Sequence, residues 1–262
     1  MVLKSQSFDA NELQGLCAVV LGGTSGIGRT LALGLARHGV AVVASSRNEE
    51  SVHGVAAEIG ALGVRTLPMC SDVSDKDSLV RLRDAVLKEF GAVDILVNSA
   101  GMTRRVPTLE MEEEVWRHIL DVNLTGTLRG CQVFGAAMLE RGFGRIINIA
   151  SLSTFVAFQE VAAYGVSKAA VGALTRSLAV EWAPFGVTVN AIAPGIFPTA
   201  LNRKILDSPR GQELLLRTPM HRFGEPEELV STLLYLAHPQ SGFTTGQIVA
   251  VDGGFLASGV NQ

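Results

Sequence analysis

Tyrosine, tryptophan and cysteine are scarce in this chain, with two, two and three copies among 262 residues. Cys17, Cys70 and Cys131 are odd in number, far apart, and set in or beside apolar runs. That pattern argues against a disulfide framework or a metal knuckle and suits reduced core thiols. The five histidines, His38, His53, His118, His221 and His238, show no ligand spacing, so no metal site is expected. With a net charge of −3 and no run of like charge, the chain has no basic footprint for nucleic acid. No stretch of about 18 consecutive apolar residues is present to span a bilayer, and the opening "MVLKSQSFDANELQG" lacks the apolar region of a signal peptide. A cytoplasmic protein without a membrane partner is expected. No linker or low-complexity segment divides the chain, so residues 1–262 are expected to form a single domain.

What is abundant is apolar sequence, at 47% of residues, enough for a large core. It falls in short β-rich runs at 17–21, 40–45, 64–69, 94–98, 145–150, 187–193 and 247–251. Helical patterns occupy 27–38, 49–60, 75–90, 110–140, 162–183 and 226–237, and "SDKDSL" (74–79) offers an N-cap for the third. Seven strands alternating with helices predict an α/β fold, a parallel sheet covered on both faces. Several runs lack polar alternation because both sides of such a strand are buried. Residues 194–226 break the rhythm with five prolines, just beyond the sixth strand candidate. Ligands bind outside the carboxyl ends of parallel strands, so this insertion is placed to cover one.

"LGGTSGIG" (21–28) follows the first strand directly and opens a helix. Gly22 would permit a tight turn, Gly26 a close backbone approach and Gly28 close helix packing, with the helix N-terminus free to face a pyrophosphate. Gly22, Thr24, Ser25, Gly26, Ile27 and Gly28 are therefore candidate dinucleotide contacts. At the end of the second strand "SSRN" (45–48) stands where an acid would select a free ribose hydroxyl. Ser46 and Arg47 can hold a phosphate instead, which favours NADP(H) over NAD(H).

"YGVSK" (164–168) sets a phenol and an ammonium at i and i+4, on one helix face, with side-chain roots about 5–6 Å apart. Alone such a pair is ordinary surface. The surrounding motifs change its weight: "GGTSGIG" (22–28), "DV" (72–73), "NSAG" (98–101), "VN" (122–123), Ser151, "YGVSK", "PG" (194–195) and "VDGG" (251–254) occur in one order. In that set the chain resembles the short-chain dehydrogenase/reductase family along nearly its whole length.

The resemblance implies a Rossmann-type doubly wound sheet of strand order 3-2-1-4-5-6-7. It implies an oxidoreductase interconverting a secondary alcohol and a ketone, with Tyr164 as acid/base and Asn123, Ser151 and Lys168 as its helpers. Ser151 would polarise the carbonyl, and Asn123 would hold a water beside the lysine. Lys168 would favour the phenolate: an ammonium about 4 Å away is worth at most about three pKa units. Lys168 would also bind the nicotinamide ribose. Asp72 and Val73 would border the adenine, and Asn98, Ala100 and Gly101 would run beside the cofactor. Pro194 and Gly195 would flank it, Ile196 would meet its carboxamide, and Thr199 would contact it through a hydroxyl. The family also implies a homotetramer, paired through the helices near 110–140 and 162–183 and through 245–255 with the helix near 226–237.

Leu21 and Ser99 depart from the family's usual threonine and second asparagine, a change to the local turn rather than to the chemistry. "GMTRRVPTLEMEEEVW" (101–116) and "RTPMHRFGEPEEL" (217–229) look most like the branch containing gluconate 5-dehydrogenases and related sugar-acid enzymes. Arg104 and Arg105 are candidates for a substrate carboxylate or for a solvated or intersubunit role. A 3-oxoacyl thioester reductase is the rival enzyme, with Val156, Phe158 and Phe197 as possible apolar walls. A non-catalytic dinucleotide sensor is the rival from another class, and a methyltransferase a weaker one.

Overall fold

A computed structural model describes residues 10–199 and 208–259. Six parallel strands form one sheet: β1 (Cys17–Leu21), β2 (Ala41–Ser45), β3 (Ile95–Asn98), β4 (Gly144–Ile149), β5 (Val187–Pro194) and β6 (Ile248–Val251), in the order β2-β1-β3-β4-β5-β6. Eight α-helices are described: α1 (Gly26–Arg37), α2 (Glu49–Ala61), α3 (Lys76–Phe90), α4 (Glu113–Leu120), α5 (Gly126–Arg141), α6 (Ala162–Trp182), α7 (Pro209–Leu216) and α8 (Glu228–Ala237). No helix among the described residues is long and apolar enough to cross a membrane.

The sheet has six strands rather than the expected seven. Residues 64–69 run beside β2 but form no ladder, being tied by Val42 N–H to the Arg65 carbonyl and by the Ser45 hydroxyl to the Met69 carbonyl. Pro68 has no N–H to give, and a side chain takes the acceptor that a strand would use. The other six keep the expected relative order.

Alternate residues of each strand feed opposite cores. From β1, Ala18 and Val20 join α1 and α8 through Leu31, Leu35, Leu229 and Leu233, whereas Val19 and Leu21 join α3, α5 and α6 through Leu82, Phe134 and Trp182. This two-residue period with both faces apolar is why the strands read as continuous hydrophobic runs. Burial pushes the Cys17 and Cys131 thiols up to about 12, consistent with core residues that do not ionise.

The expected helix at 110–140 is interrupted. Between α4 and α5 lies a π turn, Asp121–Thr125, in which the Gly126 N–H reaches back to the Asp121 carbonyl. Asn123 sits inside it, fully buried. At α3 the expected cap forms, with Asp75 accepting from the Asp77 N–H at 2.9 Å.

Candidate active site

At the carboxyl ends of the strands lies a cleft of about 410 Å³. Its first wall is the turn between β1 and α1. Gly22 takes φ +78°, and a side-chain carbon there would come within 2.6 Å of the Ala100 backbone nitrogen, so the β1 and β3 turns touch only because Gly22 has none. A side chain on Gly28 would strike the Gly22 carbonyl. Leu21 and Ser99, the two departures, fit this arrangement: the Ser99 N–H donates to the Leu21 carbonyl at 2.9 Å.

Ser25 begins α1 without a side-chain bond to its first-turn amides, and space opposite Gly26 is open as far as Thr199, 3.7 Å from where a methyl would sit. An uncapped helix start facing a cleft suits a pyrophosphate. Ser25, Gly26, Ile27, Ala100 and Gly101 all line the cleft, as do Pro194, Gly195, Ile196 and Thr199 from the far side.

Thr24, Ser46 and Arg47 lie beyond its rim. The Thr24 hydroxyl donates to Ser46 Oγ at 2.7 Å, linking the glycine turn to the end of β2. Arg47 is exposed and forms no hydrogen bond or ion pair with the described residues. Asp72 caps its own turn by accepting from the Ser74 N–H at 2.8 Å, and Val73 packs where Gly126 leaves room. A dinucleotide therefore fits the residues present: free amides at the helix start, open volume beside them, and an unpaired guanidinium at the end of β2.

Asn98 does not line the cleft. Its side chain is buried, donating to Asn148 Oδ1 at 2.8 Å and to Cys131 Sγ at 3.3 Å.

The second wall carries the chemistry. Ser151 follows β4 and caps a short 3-10 turn (Leu152–Thr154), accepting from the Ser153 N–H at 3.1 Å. Tyr164 stands in the first turn of α6, within electrostatic reach of the Ser151 side chain. Lys168 is one turn further on, 5% exposed, its Nζ donating to the Ile149 carbonyl at 2.7 Å and lying 5.8 Å from the Tyr164 ring centre. All three line the cleft.

Electrostatics here correct one expectation. Burial pushes the Tyr164 phenol up, and the Ser151 side chain works the other way without overcoming it. The net direction is upward, against the lowering expected from Lys168. Burial also pushes the Lys168 ammonium down, to about 8. Without a cofactor, a desolvated phenol and a desolvated ammonium both favour their neutral forms.

Asn123 does not line the cleft but reaches its back. Its Oδ1 accepts from the Met102 N–H at 2.8 Å, and its Nδ2 donates to the Met102 carbonyl at 2.9 Å and to Ser167 Oγ at 3.0 Å. The side chain is thus engaged by protein groups at both ends and clamps the turn after β3 onto α6. Gly101 lies between Asn123 and Lys168: a methyl there would sit 3.5 Å from Asn123 Oδ1 and 3.6 Å from Lys168 Nζ.

From the insertion, α7 contributes Arg210 and Leu214 to the cleft, and Phe158, Val161 and Phe197 form apolar wall. Val156, Arg104 and Arg105 do not line it. Arg105 Nε instead bonds Glu160 Oε2 at 2.6 Å. Sequence reasoning missed Arg210, Leu214 and Val161. Only the insertion's position beyond a parallel strand pointed toward the first two.

A dinucleotide-type parallel sheet with a serine, a tyrosine and a lysine converging on one cleft defines an oxidoreductase acting on CH–OH groups. The comparisons agree. The family model described as enoyl-(acyl carrier protein) reductase matches residues 22–256. The gluconate 5-dehydrogenase of Gluconobacter oxydans is 36% identical over 251 residues, which cover 95% of this chain and 98% of that protein. The 2-dehydro-3-deoxy-D-gluconate 5-dehydrogenase of Bacillus subtilis is 40% identical over 253 residues, 95% of this chain and 98% of that one. A crystal structure of a gluconate 5-dehydrogenase from Burkholderia cenocepacia, in complex with NADP and tartrate, matches with TM-score 0.91 at 36% identity, covering 95% of this chain and 99% of the other. The chain belongs to the short-chain dehydrogenase/reductase family.

Proposed function

We propose that this protein is an NADP(H)-preferring dehydrogenase that interconverts a secondary alcohol and a ketone on a sugar acid. The observation that carries the reading is the convergence of Ser151, Tyr164 and Lys168 beside the uncapped start of α1 in one cleft. The gluconate-type activities named for the relatives supply the substrate class.

The bound nicotinamide supplies hydride exchange with the substrate carbon. The first-turn amides of α1 would hold its pyrophosphate, Ser46 and Arg47 the 2′-phosphate, Asp72 and Val73 the adenine side, and Lys168 the ribose. Ala100, Gly101, Ile196 and Thr199 would border the rest. Tyr164 holds the mobile proton at its phenolic oxygen: as phenol it donates to the ketone oxygen, and as phenolate it accepts from the alcohol. Ser151 hydrogen-bonds the same oxygen and steadies the charge that develops on it. Positive charge from Lys168 and from the oxidised ring would oppose the upward push that burial gives the phenol. Asn123 acts as a positioning residue for the turn at Met102.

Three free thiols suit a reducing, cytoplasmic setting. Exposed Val180, Phe185, Tyr235 and Phe243 lie on or beside the elements expected to pair, which supports a homotetramer; light scattering at micromolar concentration checks it.

The test is turnover of sugar acids, neutral polyols and 3-oxoacyl thioesters with each cofactor, for wild type and Tyr164→Phe. Sugar acids with NADP(H) are expected to be the best pairing. Tyr164→Phe should lower kcat by about 10²–10⁴-fold or more while the cofactor still binds. Faster turnover of acyl thioesters, or full activity in the phenylalanine variant, would overturn the reading.

A further inference from the structure

Among the described residues lining the cleft there is no aspartate or glutamate, and two side chains are cationic, Lys168 and Arg210. In a chain of net charge −3, that is a local excess of positive charge. Lys168 is committed to the Ile149 carbonyl and stands beside Tyr164. Arg210 is not committed in the same way.

It is half-buried in the first turn of α7, and its Nη2 donates to the Gln159 carbonyl at 3.2 Å. No carboxylate among the described residues pairs with it, whereas nearby Arg105 is neutralised by Glu160 at 2.6 Å. A guanidinium has five N–H donors, arranged as a fork that matches a carboxylate. Arg210 therefore presents unused donors to the cleft. The side matters too: Gln159 belongs to the segment joining Ser151 to Tyr164, so Arg210 flanks the proton-transferring pair rather than the glycine turn. Phe158, Val161 and Leu214 surround that part of the cleft with apolar wall, where an ionic contact is stronger than in water.

We infer that Arg210 receives the carboxylate of the substrate and selects acids over neutral polyols. The inference rests on the sugar-acid reading above and assigns a residue to it. Arg104 and Arg105, the arginines that the sequence brings forward, lie outside the lining.

The experiment compares KM and kcat for a sugar acid and for the corresponding neutral polyol in wild type, Arg210→Met and Arg210→Lys, with cofactor affinity measured alongside. In Arg210→Met, KM for the acid should rise about ten- to hundredfold, the loss of a charge-assisted contact, with kcat and the polyol KM nearly unchanged. Arg210→Lys should recover part of this, keeping the charge without the fork. Calorimetry of a non-reacting hydroxy-dicarboxylate gives the same comparison without turnover. If wild type favours acids and Arg210→Met leaves the acid-to-polyol ratio unchanged, the assignment of Arg210 is wrong while the substrate class stands. If wild type handles polyols as well as acids, the substrate class fails and this inference with it. A fall in cofactor affinity with both substrates moving together would give Arg210 to the cofactor and overturn the inference.

Discussion

Asn98 and Asn148 stand opposite each other in register on β3 and β4, and the amide of the first donates to the carbonyl oxygen of the second at 2.8 Å. Asn148 Nδ2 continues the chain to Thr175 Oγ1 at 3.0 Å, on α6. A buried polar line thus runs from mid-sheet to the helix that carries Tyr164 and Lys168. Asn148→Ala would leave the Asn98 amide and the Thr175 hydroxyl each short of a partner. It should cost about 2–4 kcal/mol. Urea denaturation measures this; a loss under about 0.5 kcal/mol, the range of ordinary surface changes, would mean the line is not structural.

The glycine turn separates steric from functional demand. Gly28→Ala drives a methyl into the Gly22 carbonyl and should leave little folded protein. Gly26→Ala meets only Thr199 at 3.7 Å, and its φ of +48° costs about 1–2 kcal/mol. That variant should fold but bind NADP(H) at least about tenfold more weakly, because the methyl occupies the cradle at the helix start. Cofactor fluorescence titration checks it. Undiminished affinity in a folded Gly26→Ala would remove this turn from the cofactor site.

Cofactor choice should turn on two residues at the end of β2. Ser46→Asp keeps an acceptor for Thr24 and sets a negative charge against any 2′-phosphate, while Arg47→Ala removes an unpaired cation. A lost charge-assisted contact corresponds to an about ten- to hundredfold drop in NADP(H) affinity, with NAD(H) little changed. If wild type binds both cofactors equally and Arg47→Ala weakens both alike, Arg47 is a solvated loop residue.

Lys168 makes a prediction about pH. Its ammonium is harder to form in the folded protein, where it titrates at about 8, than in the unfolded chain, at 10.5. The unfolded chain therefore holds more protons between these values, and stability rises with pH across that window. Above 10.5 the penalty is gone, and below about 8 it is complete. Without cofactor, wild type should gain up to about 3 kcal/mol relative to Lys168→Met between pH 8 and 10.5. Denaturant midpoints across this window that stay parallel in the two proteins would contradict the buried ammonium.

Much of this was legible because it is written in period and spacing. Strands buried on both faces give apolar runs, and glycines, Ser151, Tyr164 and Lys168 fall at set distances from strand ends. Residues 64–69 deceive because β-propensity does not tell whether backbone N–H groups find partners, and Pro68 has none to offer. The π turn was hidden in a continuous helical pattern, its one trace being an asparagine where helices disfavour it. The direction of the Tyr164 shift was missed because sequence names the neighbours of a group but not its desolvation, which packing decides. Arg210 sits in an insertion that breaks the rhythm of strands and helices. Its place in the cleft is purely tertiary.

The π turn has a last consequence, which concerns phase. Each residue of an α-helix advances the side-chain direction by about 100°. A π turn inserts one extra residue, so α4 is rotated by roughly that angle from where a straight continuation of α5 would put it. Ile119 in α4 and Phe134 in α5 can then both point inward, each toward its own neighbours, and Asn123 between them faces Met102. Deleting any one residue from 121–125 would act as a frameshift in space: every residue would keep its identity, while Ile119 turned toward water and Asn123 lost hold of the turn after β3.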